Sequence, residues 1–424
     1  MRKKLAIIGT GISGLGCAHF LHKEFDLTLY EQNDYAGGHT NTIIVPEQER
    51  LIPIDTGFMV YNETTYPNLT RLFRELNVET KPTDMSFSVQ YRPANLEYNG
   101  SSLGLLFGQR RNLWNLRFWR MLMNINRFNS EAVAALEDPR FSDCTLREYI
   151  TKRGYGEDML HWYLVPMGGA VWSTPPDLML EFPARTLLRF WHNHGFLGLH
   201  TQHPWRTVTD GARSYVQKMT LPFKDRIHLG RRAVRVIRGT DRVIIEDCRG
   251  NKEEFDKLIM ACHGDQSLAL LAEPTATEVR LLSKFKYQRN LATVHTDSSV
   301  MPHTPRCWAS WNYRVEKGED GRLLPTTHYW MNRLQGVSER ENYFVSLNAA
   351  NRIAPGSVLR EIEYEHPLFD LAAVAAQSEL PALNHQNQTT YFCGAWFKYG
   401  FHEDGFTSAL ECARSLTREP IWGS

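Results

Sequence analysis

A glycine-rich turn near the N-terminus constrains the fold of this chain more than any other feature. The apolar run at residues 5–8 leads directly into Gly9-x-Gly11-x-x-Gly14, and the helix-compatible sequence LGCAHFLHKEF follows. In such a unit the first glycine permits a tight turn, the second lets the backbone approach a pyrophosphate, and the third lets the helix pack on the strand. The helix N-terminus then offers free N–H groups to the phosphates. We predict a parallel sheet that binds a dinucleotide, with Ser13 among the binding residues.

The next predicted strand carries an acidic residue where a ribose would lie. The segment DLTLYE ends in Glu31, seventeen residues after Gly14. A carboxylate at this position accepts hydrogen bonds from the ribose hydroxyls of an adenosine and disfavours a 2′-phosphate. The alternative is a glycine-rich turn without a ligand, and Glu31 counts against it.

Length and charge narrow the class of protein. The 424 residues predict two domains, and the formal net charge of +1 gives no global attraction to nucleic acid, so we expect no nucleic-acid partner. No apolar stretch of about eighteen residues occurs, so we do not expect a membrane span.

Neither the cysteines nor the histidines predict a metal site. The seven cysteines are scattered without a C-x-x-C spacing, which is typical of reduced thiols, and we expect a cytoplasmic protein. The segment WHNHGFLGLHTQHP has four histidines, but no carboxylate or cysteine stands close by and the spacing matches no standard site. These histidines are His192, His194, His200 and His203.

The residues that follow Glu31 resemble the flavin-containing amine oxidase superfamily, which includes protoporphyrinogen oxidase and the carotenoid desaturases. That superfamily has a paired glycine here, usually followed by Arg, and this chain has His39 instead. The segment IPIDTGFMVY resembles the D-x-G segment of the family at the flavin ring. The resemblance implies FAD, and Cys393 and Cys412 do not occupy the cysteine pattern of covalent members, so we expect non-covalent FAD. The implied contact positions are Gly37, Gly38, His39, Thr40, Gly57 and Phe58, with Asp55 matching the acidic position.

The resemblance also implies a discontinuous organisation. Residues 1–75, 205–285 and 386–424 would form the FAD-binding domain, and residues 76–204 and 286–385 the substrate domain. We expect an α/β fold (α+β overall), with a Rossmann-like FAD domain of three ββα layers and an inserted domain of mixed sheet and helices. Alternation within residues 227–255 predicts a β-meander, and residues 257–261 a buried strand. By resemblance, the backbone of Val234 meets the adenine.

The C-terminal segment returns to the same site. QTTYFCG is predicted as the last strand of the FAD sheet, which places Gly394 at its carboxyl end, where ligands of open α/β sheets bind. HEDGFTSALECARSL is predicted as a helix whose N-terminus faces the pyrimidine edge of the flavin. The family usually has an acidic residue after the glycine, and this chain has Ala395 there. The cofactor-binding candidates in this segment are Gly394, Ala395, Asp404, Gly405 and Phe406.

Candidate catalytic residues lie between that strand and that helix. They are Lys398, Tyr399, His402 and Glu403, and for each one a purely structural role is the alternative. Hydride transfer to a flavin often needs no strong base, so the sequence does not single out one of them.

Two features bear on the substrate. Residues 101–128 contain five arginines and no acid, with Trp114, Phe118, Met121, Leu122, Ile125 and Phe128 at helical spacing. This composition suits a membrane surface or an anionic lipid headgroup, and the alternative is a solvated basic face over a packed apolar stripe. The arginines are Arg110, Arg111, Arg117, Arg120 and Arg127, and the aromatics expected to line a large apolar cavity are Trp308, Trp311, Tyr329 and Trp330.

The sequence is most similar to a bacterial branch of NAD(P)/FAD-binding proteins often encoded beside cyclopropane-type fatty-acid synthases, through WASWNY, YWMNRLQ and GAWFKYGFHEDGF. This resemblance implies an FAD-dependent oxidoreductase that removes a hydride from an apolar small molecule, a lipid acyl chain. The alternatives are an amine oxidase that produces imine and hydrogen peroxide, an FAD-dependent double-bond isomerase of fatty acids, and a flavoprotein that only binds lipid or a partner.

Overall fold

The computed structural model describes residues 2–198, 201–384, 388–417 and 420–422. The strands are β1 Lys4–Ile8, β2 Asp26–Tyr30, β3 Thr42–Glu47, β4 Arg50–Asp55, β5 Tyr61–Asn62, β6 Thr80–Pro82, β7 Phe87–Tyr91, β8 Leu96–Asn99, β9 Trp205–Val208, β10 Ile227–His228, β11 Ala233–Arg238, β12 Val243–Asp247, β13 Lys252–Phe255, β14 Lys257–Met260, β15 Lys286–His295, β16 Trp311–Lys317, β17 Leu323–Trp330, β18 Phe344–Leu347, β19 Val358–Leu368 and β20 Thr390–Phe392. The helices are α1 Ile12–Leu21, α2 Pro67–Glu75, α3 Leu103–Leu106, α4 Leu116–Glu137, α5 Leu146–Arg153, α6 Glu157–Met159, α7 Val165–Trp172, α8 Pro176–Leu180, α9 Ala184–Asn193, α10 Arg213–Thr220, α11 Gly264–Leu270, α12 Ala276–Leu282, α13 Met331–Leu334, α14 Leu371–Gln377 and α15 His402–Leu416.

A parallel sheet of five strands, in the order β10-β2-β1-β14-β20, forms the centre of the predicted FAD domain. Alternate side chains of β1 face opposite layers, as a strand buried on both faces requires. Leu5 and Ile7 pack with α1, α10 and α15, whereas Ala6 and Ile8 pack with the antiparallel meander β11–β13. The three layers are therefore meander, sheet and helices, and the predicted α/β fold is confirmed.

A second sheet of seven strands has the order β19-β15-β18-β17-β16-β7-β8. Neighbouring strands in it are antiparallel except β7 and β16, which are parallel. The segment THYWMNRL is strand only in its first half, because β17 ends at Trp330 and Met331–Leu334 is α13. Met331 and Leu334 are both buried, and a helical turn places residues three apart on one side where a strand would separate them.

The two inserted blocks combine in this second sheet. The first block, residues 76–204, contains α3 to α9 and also contributes β7 and β8. The boundary positions 385 and 386 lie outside the described residues, so the domain limits stay predictions. Within the described ranges, no helix has both the length and the apolar character needed to cross a bilayer.

Candidate active site

A cavity of about 1160 Å³ opens where the central strands end. Its wall includes the residues that directly follow β1, β2 and β14, and Gly394 two residues after β20. The cavity continues toward the second sheet, from which Phe87, Trp311 and Tyr329 line it. Ligands of open α/β sheets bind at the carboxyl ends of the strands, so this is the expected position for a site.

The glycine-rich turn has the geometry that its spacing predicts. Gly9 has a φ of +99°, which favours glycine. A Cβ on Gly14 would lie 1.9 Å from the carbonyl oxygen of Gly9, so only glycine lets α1 pack this closely. A Cβ on Gly11 would meet nothing within 4 Å, and Gly11 lines the cavity. Ser13 also lines the cavity and donates a hydrogen bond to the carbonyl of Gly405 at 3.0 Å.

Glu31 and Val234 lie on the side of the cavity where an adenosine is expected. The Glu31 carboxylate is buried and accepts hydrogen bonds from the Thr10 amide at 3.0 Å and the Asn33 amide at 2.9 Å. The hydroxyl of Thr10 also donates to it, and lone pairs remain for a ribose hydroxyl. The pairing of β11 with β12 shifts at Val234, so the Val234 backbone is unpaired and accessible from the cavity.

The segment that contains Gly37 and Gly38 packs against the glycine-rich turn. A Cβ on Gly38 would lie 3.1 Å from the Cα of Gly11, and one on Gly57 would lie 2.3 Å from the carbonyl oxygen of His39. The His39 ring stacks on Tyr364 at 4.8 Å between ring centroids, and its buried Nε2 has no hydrogen-bond partner among the described residues. Burial holds the pKa of His39 well below its usual range, so the ring is neutral.

These features fit a dinucleotide. An open backbone at Gly11, a buried carboxylate at Glu31, an unpaired backbone at Val234 and an orphaned ring nitrogen at His39 all border one cavity. A buried polar atom without a partner costs free energy, so the unpartnered nitrogen indicates a polar ligand group beside it.

The C-terminal strand and helix meet the same cavity, which Gly394, Ala395, Tyr399 and His402 line. A Cβ on Gly394 would lie 2.1 Å from the indole nitrogen of Trp396, so glycine is required by close approach.

His402 is the first residue of α15, and its ring stacks on Phe58 with 3.9 Å between centroids. Its Nε2 shares hydrogen bonds with the hydroxyls of Tyr215 at 2.7 Å and Thr40 at 2.9 Å. Burial lowers the pKa of His402 to about 3, so this residue is a neutral hydrogen-bonding group.

Several predicted site residues lie elsewhere. Lys398 is exposed and does not line the cavity, so the structure does not support a catalytic role for it. The Glu403 carboxylate accepts hydrogen bonds from the amides of Asn68 at 3.0 Å and Leu69 at 2.9 Å, so it caps α2. Thr40 contacts His402 behind the cavity wall instead of lining it.

Asp404, Gly405 and Phe406, predicted to bind the cofactor at the start of α15, do not line the cavity. The Asp404 carboxylate accepts a hydrogen bond from the amide of Phe401 at 3.0 Å and caps its own helix. Gly405 packs on α1, where a Cβ would lie 2.7 Å from Ile12, and the Phe406 ring is fully buried in the core. Within α15, His402 is the residue that lines the cavity. Gly14 and Gly37 likewise serve packing and turn formation outside the lining.

Asp55 joins distant parts of the chain instead of facing the cavity. Its buried carboxylate accepts a hydrogen bond from the Ala212 amide at 2.9 Å, at the start of α10, and one from the Gln335 side chain at 2.6 Å. Its amide donates in turn to the Gln335 side-chain oxygen at 3.1 Å. Burial raises the pKa of Asp55 to about 6.

The end of the cavity beyond the glycine turns is apolar and aromatic. Of the predicted aromatics, Trp311 and Tyr329 line it, whereas Trp308 and Trp330 pack against each other at 5.4 Å outside the cavity. Sequence reasoning missed most of the lining, although the aromatic residues among the histidines of residues 190–205 were a usable signal. The additional apolar lining residues include Met85, Phe87, Met167, Trp172, Phe190, Phe196 and Trp205.

The histidine segment does not gather into a ligand set within the described part of the chain. His194 stacks on Phe190 at 3.8 Å, and His203 bonds the carbonyl of Asn193 at 3.0 Å, while His200 lies outside the described residues. The one close group of metal-ligand types among described residues is Cys17, Cys393 and Cys412, whose sulfurs lie within 4.8 Å of one another in the core.

Fold and site together define a flavin-binding oxidoreductase. The family model for flavin containing amine oxidoreductases matches residues 12–360, so the chain belongs to that family. A search of curated proteins finds no significant match. The resemblance stated from the sequence is confirmed.

Solved structures of similar fold include a cyclohexylamine oxidase from Brevibacterium oxydans IH-35A, with 16% identity over 98% of this chain and 100% of that chain, at a TM-score of 0.67. A CLA-producing fatty acid isomerase from P. acnes has 13% identity over 97% of this chain and 98% of its own, also at 0.67. A putrescine oxidase has 13% identity over 98% of this chain and 99% of its own, at 0.67. At these identities the likeness shows the shared fold alone.

Proposed function

We propose that this enzyme binds FAD non-covalently and oxidises an apolar substrate, a lipid acyl chain, by removing a hydride. The observation that carries the proposal is the apolar, aromatic end of the cavity beside the predicted flavin groove. When bound, the flavin supplies the hydride acceptor. Its adenosine would lie against Glu31 and Val234 and its pyrophosphate against Gly11.

The protein contributes apolar cavity walls and the dipole of helix α15. Phe190, Met167 and Trp172 give the cavity apolar walls that exclude water from the reacting carbon. The N-terminus of α15 brings the positive end of its dipole to the wall at His402, where it stabilises negative charge. His402 stays neutral, and its hydrogen bonds to Tyr215 and Thr40 hold the ring in place.

An amine substrate is the second candidate, because two of the similar structures are amine oxidases. The charges of the cavity favour the apolar substrate. Among the described lining residues the carboxylates are Glu31, Glu363 and Glu365. Glu31 is hydrogen-bonded at the glycine turn, Glu363 is exposed, and Glu365 pairs with His263 at 3.2 Å. Each of these carboxylates is either hydrogen-bonded or ion-paired within the protein or exposed to solvent, so none is a buried, free partner for a cationic amine.

We expect anaerobic mixing with fatty-acyl compounds to bleach the visible flavin absorbance, while a panel of amines leaves it unchanged. Met167→Asp places a charge in the apolar wall and should slow this bleaching at least about 100-fold. An acyl chain that enters the pocket would strip water from the new carboxylate, and this desolvation costs free energy. Stopped-flow absorbance measures the rate, and the flavin content of each variant is measured separately.

Lys398→Ala is the matched control, since Lys398 is exposed and should leave the rate unchanged. Mass spectrometry of the product separates oxidation from isomerisation, because an isomerised chain keeps its mass. Bleaching by amines and not by acyl compounds would contradict the proposed substrate class.

A further inference from the structure

Residues 103–123 carry an apolar surface patch that no part of the described chain covers. Trp114 is 87% exposed, Leu116 is 80%, Leu103 is 70% and Met123 is 64%. Leu113 and Trp119 are also exposed, so six large apolar side chains lie within twenty-one residues. Patches of this kind mark interaction sites, because exposed apolar area in contact with water is costly.

The patch lies on the face of α4 opposite the core. The helix buries Phe118, Met121 and Phe128, so these three residues form the packed apolar stripe that the sequence analysis gave as the alternative to a membrane-facing one. Leu116 and Met123, one heptad apart, lie on the other face. A surface helix normally has polar residues there, so α4 is apolar on two faces.

The patch is held in a fixed shape. The indole nitrogen of Trp119 donates to the carbonyl of Leu113 at 2.9 Å, and the Trp119 ring packs on Phe107 at 5.0 Å between centroids. The short 3-10 turn Arg110–Trp114 presents Trp114 to solvent. Rigid Trp side chains beside cationic residues are typical of protein surfaces at the membrane interface.

Every charged side chain within residues 103–123 is an arginine. Arg110, Arg111 and Arg120 are exposed, and within the described ranges no carboxylate lies at ion-pair distance from them. Arg117 is paired with Asp158 and Arg127 with Glu131, and residues 103–130 contain no acid. A symmetric contact with a second copy would bring like charges together, whereas an anionic lipid surface complements them.

We propose that residues 103–123 dock this enzyme on an anionic lipid bilayer, with the apolar side chains in the headgroup boundary and the arginines on lipid phosphates. Helix α4 packs on α9, where Phe128 meets Trp191 at 5.9 Å, and the preceding residue of α9, Phe190, lines the cavity. The patch therefore lies one helix away from the cavity wall. The inference extends the proposed function, since a bilayer is the source of acyl chains, but the vesicle measurement does not depend on turnover.

The test is co-sedimentation of the flavin-loaded protein with vesicles of phosphatidylcholine alone or mixed with phosphatidylglycerol. We expect binding to the mixed vesicles only, weakened by salt. Arg110→Gln, Arg111→Gln and Arg120→Gln together should lower the affinity about 100-fold, because each arginine contributes about a factor of five near an anionic surface. Trp114→Ser, Leu116→Ser and Met123→Ser together should lower it at least about tenfold.

Leu51→Ser and Leu221→Ser are the matched controls, because both leucines are 70% or more exposed and lie outside the patch. They should bind vesicles like the unaltered protein. Melting temperature and flavin absorbance show that each variant is folded. Absence of vesicle binding, equal binding of patch variants and controls, or equal binding to neutral vesicles would overturn the proposal. A dimer that dissociates in the patch variants, without vesicle binding, would overturn it in favour of a second copy.

Discussion

Gly11→Asp should give a folded protein that purifies without flavin. The added Cβ meets no atom within 4 Å, so the fold has room for the side chain. Gly11 faces the cavity where a pyrophosphate would approach the backbone, and a carboxylate there removes that space and repels the phosphates. We expect FAD affinity to fall at least about 100-fold. Titration of the apoprotein with FAD, followed by fluorescence, measures this change.

Gly14→Ala is the matched control in the same turn. Its Cβ would lie 1.9 Å from the Gly9 carbonyl, so the variant should lose stability through a steric clash between α1 and β1. The two variants distinguish two roles of glycine in this turn. Gly11→Asp should lower the affinity for FAD, whereas Gly14→Ala should lower the stability of the fold. A Gly11→Asp protein that binds FAD as tightly as the unaltered chain would contradict the placement of the pyrophosphate.

Asp404→Asn should reduce the pH dependence of stability. Burial raises the pKa of Asp404 to about 7 from its ordinary value of 3.8. Between these values the unfolded chain has lost the proton and the folded chain keeps it. Stability is therefore fully present below about pH 4 and falls as the pH rises to about 7. The loss amounts to about 4 kcal/mol, and the side-chain amide that replaces the carboxyl group does not titrate.

Thermal unfolding of both proteins at pH 4, 6 and 8, at one FAD concentration, measures this effect as a difference between the two melting curves. We expect Asp404→Asn to gain stability relative to the unaltered protein as the pH rises. Asp55, whose pKa is raised to about 6, titrates in both proteins and cancels in the comparison. A constant difference across the pH range would show that Asp404 is ionised in the fold.

Prediction from the sequence was most accurate where all the residues that determine a local structure lie in one short segment. Gly9, Gly11 and Gly14 lie in one strand–turn–helix unit, and their spacing predicts which glycine is open to the cavity and which packs between helix and strand. Strands β1, β2, β14 and β20 followed from short apolar runs for the same reason.

The sequence was not decisive where the outcome depends on the neighbours against which an element packs. Helical spacing shows that Phe118, Met121 and Phe128 share a face, but it left open whether that face meets the core or a membrane. Asp404 and Phe406 follow His402 by two and four residues, yet both are buried outside the lining of the cavity. The link between Asp55 and Gln335 joins positions 280 apart, and no local pattern connects them.

The central sheet combines strands from distant parts of the chain, so its ligand groove is complete only after β20 and α15 have been synthesised. Strand β20 and helix α15 lie some 380 residues after β1, and they supply Gly394 and His402 to the groove that Gly9 opens. A nascent polypeptide on the ribosome therefore has an incomplete groove until His402 has been translated. We expect flavin loading to follow the synthesis of β20 and α15, and products terminated before Gly394 to remain colourless.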